Sequence, residues 1–178
     1  MLNIVLFEPE IPQNTGNIMR TCVALGATLH LIEPLGFELS ERTLKRSALD
    51  YVKDLNYKRY PNFKAFEQTN TGKFYFLTRY GKQSYASLQY QQPIEAIYLI
   101  FGKESTGIDK TILGRYIDQT FRIPTTDKVR SLNLSNTVAI VAFDCMKQFD
   151  FPGCIDHEPD SMKGRNFLDQ FVEGNHES

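Results

Sequence analysis

Cysteine is scarce in this chain: Cys22, Cys145 and Cys154 stand among 178 residues. An odd number at wide spacing makes no disulfide framework and no CxxC metal pair, which points to a reducing, cytoplasmic location. Histidine is as scarce. His157 and His176 lie in a polar C-terminal stretch, and His30 lies in a probable strand, where a hydrogen-bonded structural histidine is the expectation. A Ser-His-Asp hydrolase or a His-rich metal site is therefore poorly supported. No apolar run approaches the ~20 residues that a membrane-crossing helix needs. The first, Leu2 to Phe7 with Asn3 inside it, stops at Glu8 and has no basic leader ahead of it, so neither a membrane span nor a signal peptide is expected. Familiar loop signatures are missing too. There is no GxGxxG and no GxSxG, and Gly102 and Gly107 have the first spacing of a P-loop but Ile108 stands where its lysine must be.

What is present is ordinary globular material, 42% hydrophobic and 23% charged, of a length for one domain with a large core. The net charge of −1 hides an asymmetry: residues 150–178 carry seven acidic and two basic side chains, leaving 14 acidic and 18 basic in residues 1–149. A body at +4 permits a nucleic-acid partner without arguing for one. Short apolar runs at residues 2–7, 28–32, 73–78, 96–101 and 120–123 read as buried strands. Helical spacing appears at 17–25, 40–49, 110–116 and most strongly at 134–149, where Val138, Val141, Ala142 and Cys145 form one stripe. Strands alternating with helices predict a single α/β domain, a mostly parallel sheet with helices on both faces. No repeat or low-complexity segment interrupts it. The body is expected to end near residue 155, with 156–178 as an acidic polar tail carrying one helical turn around Phe167 to Phe171.

Three polar, glycine-containing segments each follow a probable strand, where ligands of such sheets bind. The first is Glu8-Pro-Glu-Ile-Pro-Gln-Asn-Thr-Gly-Asn-Ile-Met-Arg20, in which Pro12 and Gly16 shape a loop opening into a helix, with Asn14, Asn17 and Arg20 near its start. Alone, it reads as a helix entry with a surface arginine. The second is Ile100-Phe-Gly-Lys-Glu-Ser-Thr-Gly-Ile108, where Gly102 permits close approach of a ligand to the backbone and Glu104 offers an acceptor. The third, Ile123-Pro-Thr-Thr-Asp-Lys-Val-Arg-Ser-Leu-Asn-Leu-Ser-Asn136, is dense in hydroxyls and amides. Asn133 or Ser135 could cap the following helix, which explains one member of the set and not the rest. Three such loops on one sheet suggest a site for a polar organic ligand.

Together the segments resemble the SPOUT superfamily of knotted RNA methyltransferases: N-x-G-N-I-x-R early, F-G-x-E-x-x-G in the middle, I-P-x(6)-S-L-N-L-S-N late. The opening N-I-V-L-F-E-P-E-I-P-Q-N-T-G-N-I and the Leu49-Asp50-Tyr51 element are similar to the small tRNA wobble 2′-O-methyltransferases of the TrmL type, over roughly residues 1–155. The resemblance implies a C-terminal deep trefoil knot, an exception to the rule that chains do not thread loops. It also implies S-adenosylmethionine as cofactor and S-adenosylhomocysteine as product. By position, Leu77, Gly102, Ile123, Ser131 and Leu132 correspond to cofactor contacts, largely through backbone groups, and Arg20, Asn14, Glu104, Ser131 and Asn133 to the catalytic polar set.

The implied reaction is 2′-O-methylation of the wobble ribose, C or modified U, expected on leucine tRNAs. A sulfonium already activates the methyl group, so alignment and a route for the hydroxyl proton are what the protein must supply, and no metal is called for. Arg20 falls where the family places activation of the hydroxyl. Arginine is a poor base, so a positioning role is expected; a base role would require its deprotonation. Asn14 would orient Arg20 or the ribose. For tRNA phosphates the candidates are Arg42, Lys45 and Arg46 on one helical face, and Lys128 and Arg130 in the third loop, with Arg79, Lys82 and Lys103 as further rim residues. The family works as a homodimer, and the apolar stretch 134–149 is a candidate interface, although a core helix would read the same. Rival readings are methylation of another tRNA position or of ribosomal RNA, a knotted RNA-binding protein without catalysis, and a small-molecule nucleotide-binding domain, the last opposed by the missing phosphate motifs.

Overall fold

The structure is a computed structural model that describes residues 2–39, 53–90 and 96–172. Among these, seven strands form one parallel sheet: β1 (Leu2–Phe7), β2 (Thr28–Ile32), β3 (Tyr57–Tyr60), β4 (Lys73–Leu77), β5 (Gln83–Ser84), β6 (Ile97–Phe101) and β7 (Thr120–Arg122), in the spatial order β3-β2-β1-β6-β4-β7-β5. The central strands β1 and β6 pair in register from Leu2 with Ile97 to Leu6 with Phe101. Every residue of β1, β2 and β6 is buried, as strands covered on both faces must be.

The pleat divides these runs between two cores. On one face Ile4, Leu6, Leu99 and Phe101 meet α1 (Pro12–Leu25) and α4 (Leu134–Lys147) through Ile18, Cys22, Val138, Val141 and Cys145. On the other, Val5, Phe7, Tyr98 and Ile100 meet α2 (Phe63–Thr69) and α3 (Lys110–Arg115) through Phe63, Phe66 and Leu113. The second core is aromatic: Phe66 lies edge-on to Tyr60 and Tyr98 at 5.3 and 5.6 Å between centroids. The expected α/β architecture with helices on both faces is what forms.

Two local expectations need correction. Pro12 and Gly16 do not shape a loop; both lie inside α1, which starts at Pro12 rather than Asn17. Proline at the first helical position loses no hydrogen bond and presets φ, so it opens the helix. The strands β3 and β5 and the helix α2 were not foreseen. The proposed helix at 40–49 and the Leu49-Asp50-Tyr51 element fall at residues 40–52, outside the described residues, as do Arg42, Lys45 and Arg46. After α4 the chain folds back, with Phe151 against Phe143 at 6.1 Å and the Cys154 thiol 3.8 Å from the Ala24 carbonyl, then makes the short helical turn Phe167–Phe171. Among the described residues no helix is long and apolar enough to cross a membrane.

Candidate active site

The site grows from the loop after β6. A Cβ on Gly102 would stand 2.4 Å from the Gly107 carbonyl carbon and the Ile108 nitrogen, so only glycine lets residues 102–108 double back this tightly. The Gly107 amide closes the loop on the Lys103 carbonyl at 3.0 Å. This projects Glu104 at the start of α1, whose N-cap residue Ile11 has no capping side chain of its own. The Glu104 carboxylate accepts from the Glu10 amide (2.9 Å), the Ile11 amide (3.3 Å) and Asn14 Nδ2 (2.9 Å). A carboxylate some ninety positions away thus caps the positive end of the helix.

Neighbouring acids reinforce the junction. Glu10 accepts from the Ser105 amide at 2.9 Å and the Ser105 hydroxyl at 2.7 Å, and these bonds hold its carboxyl below the ordinary range. Glu8 pairs with Lys103 at 2.7 Å, which raises the pKa of the lysine. Asn14 then reaches the third segment, its Oδ1 accepting from Asn133 Nδ2 at 3.0 Å. Asn133 is the N-cap of α4: its Oδ1 accepts from the Ser135 amide (2.8 Å), the Ser135 hydroxyl (2.7 Å) and the Asn136 amide (3.4 Å). One chain of hydrogen bonds, Glu104–Asn14–Asn133, ties all three segments together.

Beside this chain opens a cavity of about 660 Å³, within the size range of cofactor sites. It lies at the C-terminal ends of β4, β6 and β7, where ligands of open parallel sheets bind. All five residues matched to cofactor contacts line it: Leu77, Gly102, Ile123, Ser131 and Leu132. So do Asn14, Glu104, Asn133 and Arg130. Arg20 is not in the wall. It is exposed on α1, turned away from the face that buries Ile18, Met19 and Cys22. Asn14, expected to orient Arg20 or the ribose, spans Glu104 and Asn133. Lys128 and Lys82 are exposed and outside the wall, whereas Arg79 and Lys103 are in it. Sequence reasoning missed Tyr80 and Lys110, which also line the cavity. An exposed aromatic flanked by cations in Arg79-Tyr-Gly-Lys82, directly after a buried strand, was the available signal.

Groups elsewhere have structural surroundings. His30 is buried, with Nδ1 3.0 Å from Tyr60 Oη and Nε2 3.0 Å from Asn3 Oδ1, and desolvation pushes its pKa down to about 4. Burial pushes the Cys22 and Cys145 thiols up to about 12, far from a nucleophilic range. Among the described residues no group of three His, Cys, Asp or Glu side chains could hold a metal ion.

Several known proteins share sequence and fold with this chain. The tRNA (cytidine(34)-2′-O)-methyltransferase of Escherichia coli K12 is 41% identical over 157 residues, 87% of this chain and 98% of that protein. A protein of Geobacillus stearothermophilus, provisionally given the same name, is 46% identical over 153 residues, 85% of this chain and 98% of its own. A solved structure described as giving insight into 2′-OH methylation of C/U34 on tRNA superposes with a TM-score of 0.77 at 39% identity, covering 84% of this chain and 97% of that one. The AdoMet complex of AviRb from Streptomyces viridochromogenes, at 21% identity, shares the fold with a TM-score of 0.70 over 84% of this chain and 58% of its own. The model of the SpoU rRNA Methylase family matches residues 1–143, which contain every strand of the sheet and the whole Glu104–Asn14–Asn133 chain, and the protein belongs to that family.

Proposed function

We propose that the protein transfers a methyl group from S-adenosylmethionine to the ribose 2′-hydroxyl of the tRNA wobble nucleotide, C or modified U, with leucine tRNAs as the expected substrates. One observation carries the reading: the residues matched to cofactor contacts and the polar residues Asn14, Glu104 and Asn133 meet in a single cavity at the C-terminal edge of the sheet. The cavity fits the cofactor. Its walls combine apolar Leu77 and Ile123 with turning backbone at 102–107 and 130–133. These groups would hold the adenine and ribose.

The sulfonium supplies an activated methyl group, so the remaining task is to align the hydroxyl and receive its proton. The carboxylate of Glu104 and the neutral amide of Asn133 are held by partners on several sides and serve as fixed walls. Ser131, exposed at the edge of the cavity, offers a hydroxyl to the ribose. Arg20 would position a phosphate or stabilise the hydroxyl oxygen as its charge develops. Its exposed place, outside the cavity wall of its own chain, suits a homodimer in which it serves the partner's site. Exposed Ile140 (38%) and Phe143 (45%) on α4, the helix packed against α1, suit the same arrangement. The trefoil knot and a cytoplasmic location belong to this reading.

The test is transfer of labelled methyl from S-adenosylmethionine to unmodified bulk tRNA, with the product nucleotide mapped by mass spectrometry. Wobble 2′-O-methylation that falls at least about a hundredfold in Arg20→Ala is the expected outcome. Transfer to another position or to ribosomal RNA would overturn the substrate, and cofactor binding without any transfer would overturn the activity.

A further inference from the structure

The turn after β4 carries Tyr80 to the mouth of the cavity, and the turn is firmly built. The Thr78 amide donates to the Phe121 carbonyl (2.9 Å), the Gly81 amide to the Thr78 carbonyl (3.1 Å), and Arg122 Nη1 to the Arg79 carbonyl (3.1 Å). Tyr80 is nevertheless 50% exposed. Two cations lie over its ring, and a third, Arg130, lines the same cavity. The Arg79 guanidinium lies 4.6 Å from the ring centroid and also bonds the phenol oxygen. Lys110 Nζ lies 5.0 Å from the centroid, fixed by the Thr106 and Ile108 carbonyls at 3.0 Å each. Arg130 is near enough to act electrostatically on the phenol.

Some cations elsewhere in the fold have acidic partners: Arg59 has Glu33, Lys103 has Glu8 and Arg115 has Glu67. Among the described residues no carboxylate pairs with Arg79, Lys110 or Arg130. Like charges held together repel, and such a cluster is stabilised when an anion arrives. An aromatic face offers part of that stabilisation beforehand, through cation–π contact.

We infer that Tyr80 is a positioning residue that gathers Arg79, Lys110 and Arg130 into a receiver for an RNA phosphodiester beside the methylated nucleotide. The proposal rests on the tRNA reading above. The anion could also be the carboxylate end of the cofactor, which shares the chemistry. Exposure of all four side chains at the mouth favours the larger, outer ligand.

The experiment is filter binding of unmodified tRNA to the full chain across a salt series, alongside methyl-transfer kinetics and calorimetric binding of S-adenosylmethionine. Each phosphate contact contributes about 0.7–0.9 to the slope of log affinity against log salt. Lys110→Gln and Arg130→Gln should each lower the slope by about that amount, and Lys64→Gln, an exposed charge on α2, should not. Tyr80→Ala removes no charge, yet should lower the slope too and raise KM for tRNA about tenfold, with kcat and cofactor affinity within about twofold. Tyr80→Phe, which keeps the ring, should recover most of the loss. Unchanged slope and KM in Tyr80→Ala, with normal wild-type binding, would overturn the role of Tyr80 alone. Loss of cofactor affinity with an intact tRNA slope would move the anion to the cofactor. Failure of the wild type to bind tRNA would sink the tRNA reading and this inference with it.

Discussion

The wall of the cavity formed by residues 8–14 and 102–107 is cross-linked through side chains, whereas residues 124–132 opposite it are joined to the rest chiefly through Asn133 at their end. On the first side Glu104 makes three hydrogen bonds, Glu10 two to Ser105, and Glu8 an ion pair with Lys103. On the second, every residue from 126 to 133 is exposed, and Arg122 reaches Thr125 only at 3.5 Å. The difference separates two tasks. A wall that must hold a reacting geometry is fixed before substrate arrives. A wall that must admit a cofactor and an RNA strand is left open, with order supplied by the ligand.

Three changes break or sharpen this contrast. The largest effect belongs to Glu104→Gln, which puts an amide nitrogen against at least one of the three donors and removes charge from the start of α1. Methyl transfer should fall about a hundredfold, and urea denaturation should show a loss of about 2 kcal/mol, at the low end for bonds to a charged group because the site is partly exposed. Asn133→Ala comes next. It removes the cap of α4, at a cost of about 1 kcal/mol in the same assay, and cuts the Asn14–Asn133 link between the walls. Calorimetry should show weaker cofactor binding, by about tenfold, with the first wall unaltered. The smallest effect concerns Glu10. Its folded-state carboxyl lies below the ordinary 4.5, so its bonds to Ser105 stabilise the fold above that pH and are lost as pH falls through the lower folded value. Stability of wild type and Glu10→Gln should differ slightly at pH 6 and converge as acidification passes the lowered folded-state value, as followed by urea titration.

Much of this was legible in the sequence for physical reasons. Strands β1, β2 and β6 are buried on both faces, so their apolar runs stood out. The three polar segments could be read as one site because each follows such a strand. Edge strands carry no such mark: in β3 Tyr57, Lys58 and Arg59 are exposed and only Tyr60 is buried, and β5 has two residues, both exposed. The helix α2 buries only Phe63 and Phe66, too little for a visible stripe. Pro12 and Gly16 misled because both residues usually punctuate loops, while here one opens a helix and the other lies inside it. Glu104 was named as an acceptor, but its role as the cap of α1 joins residues some ninety positions apart, which spacing cannot reveal. Tyr80 had a local signal in its flanking Arg79 and Lys82, but only the fold brings Lys110 to its ring.

Amide hydrogen exchange of the free protein, repeated with S-adenosylmethionine, tests the contrast most directly. The account expects the Glu10, Ile11 and Ser105 amides to be protected without ligand, at least about tenfold over residues 126–132, with the second group gaining protection when the cofactor binds. Equal, rapid exchange on both sides in the free protein, or no gain at 126–132 with cofactor bound, would contradict it.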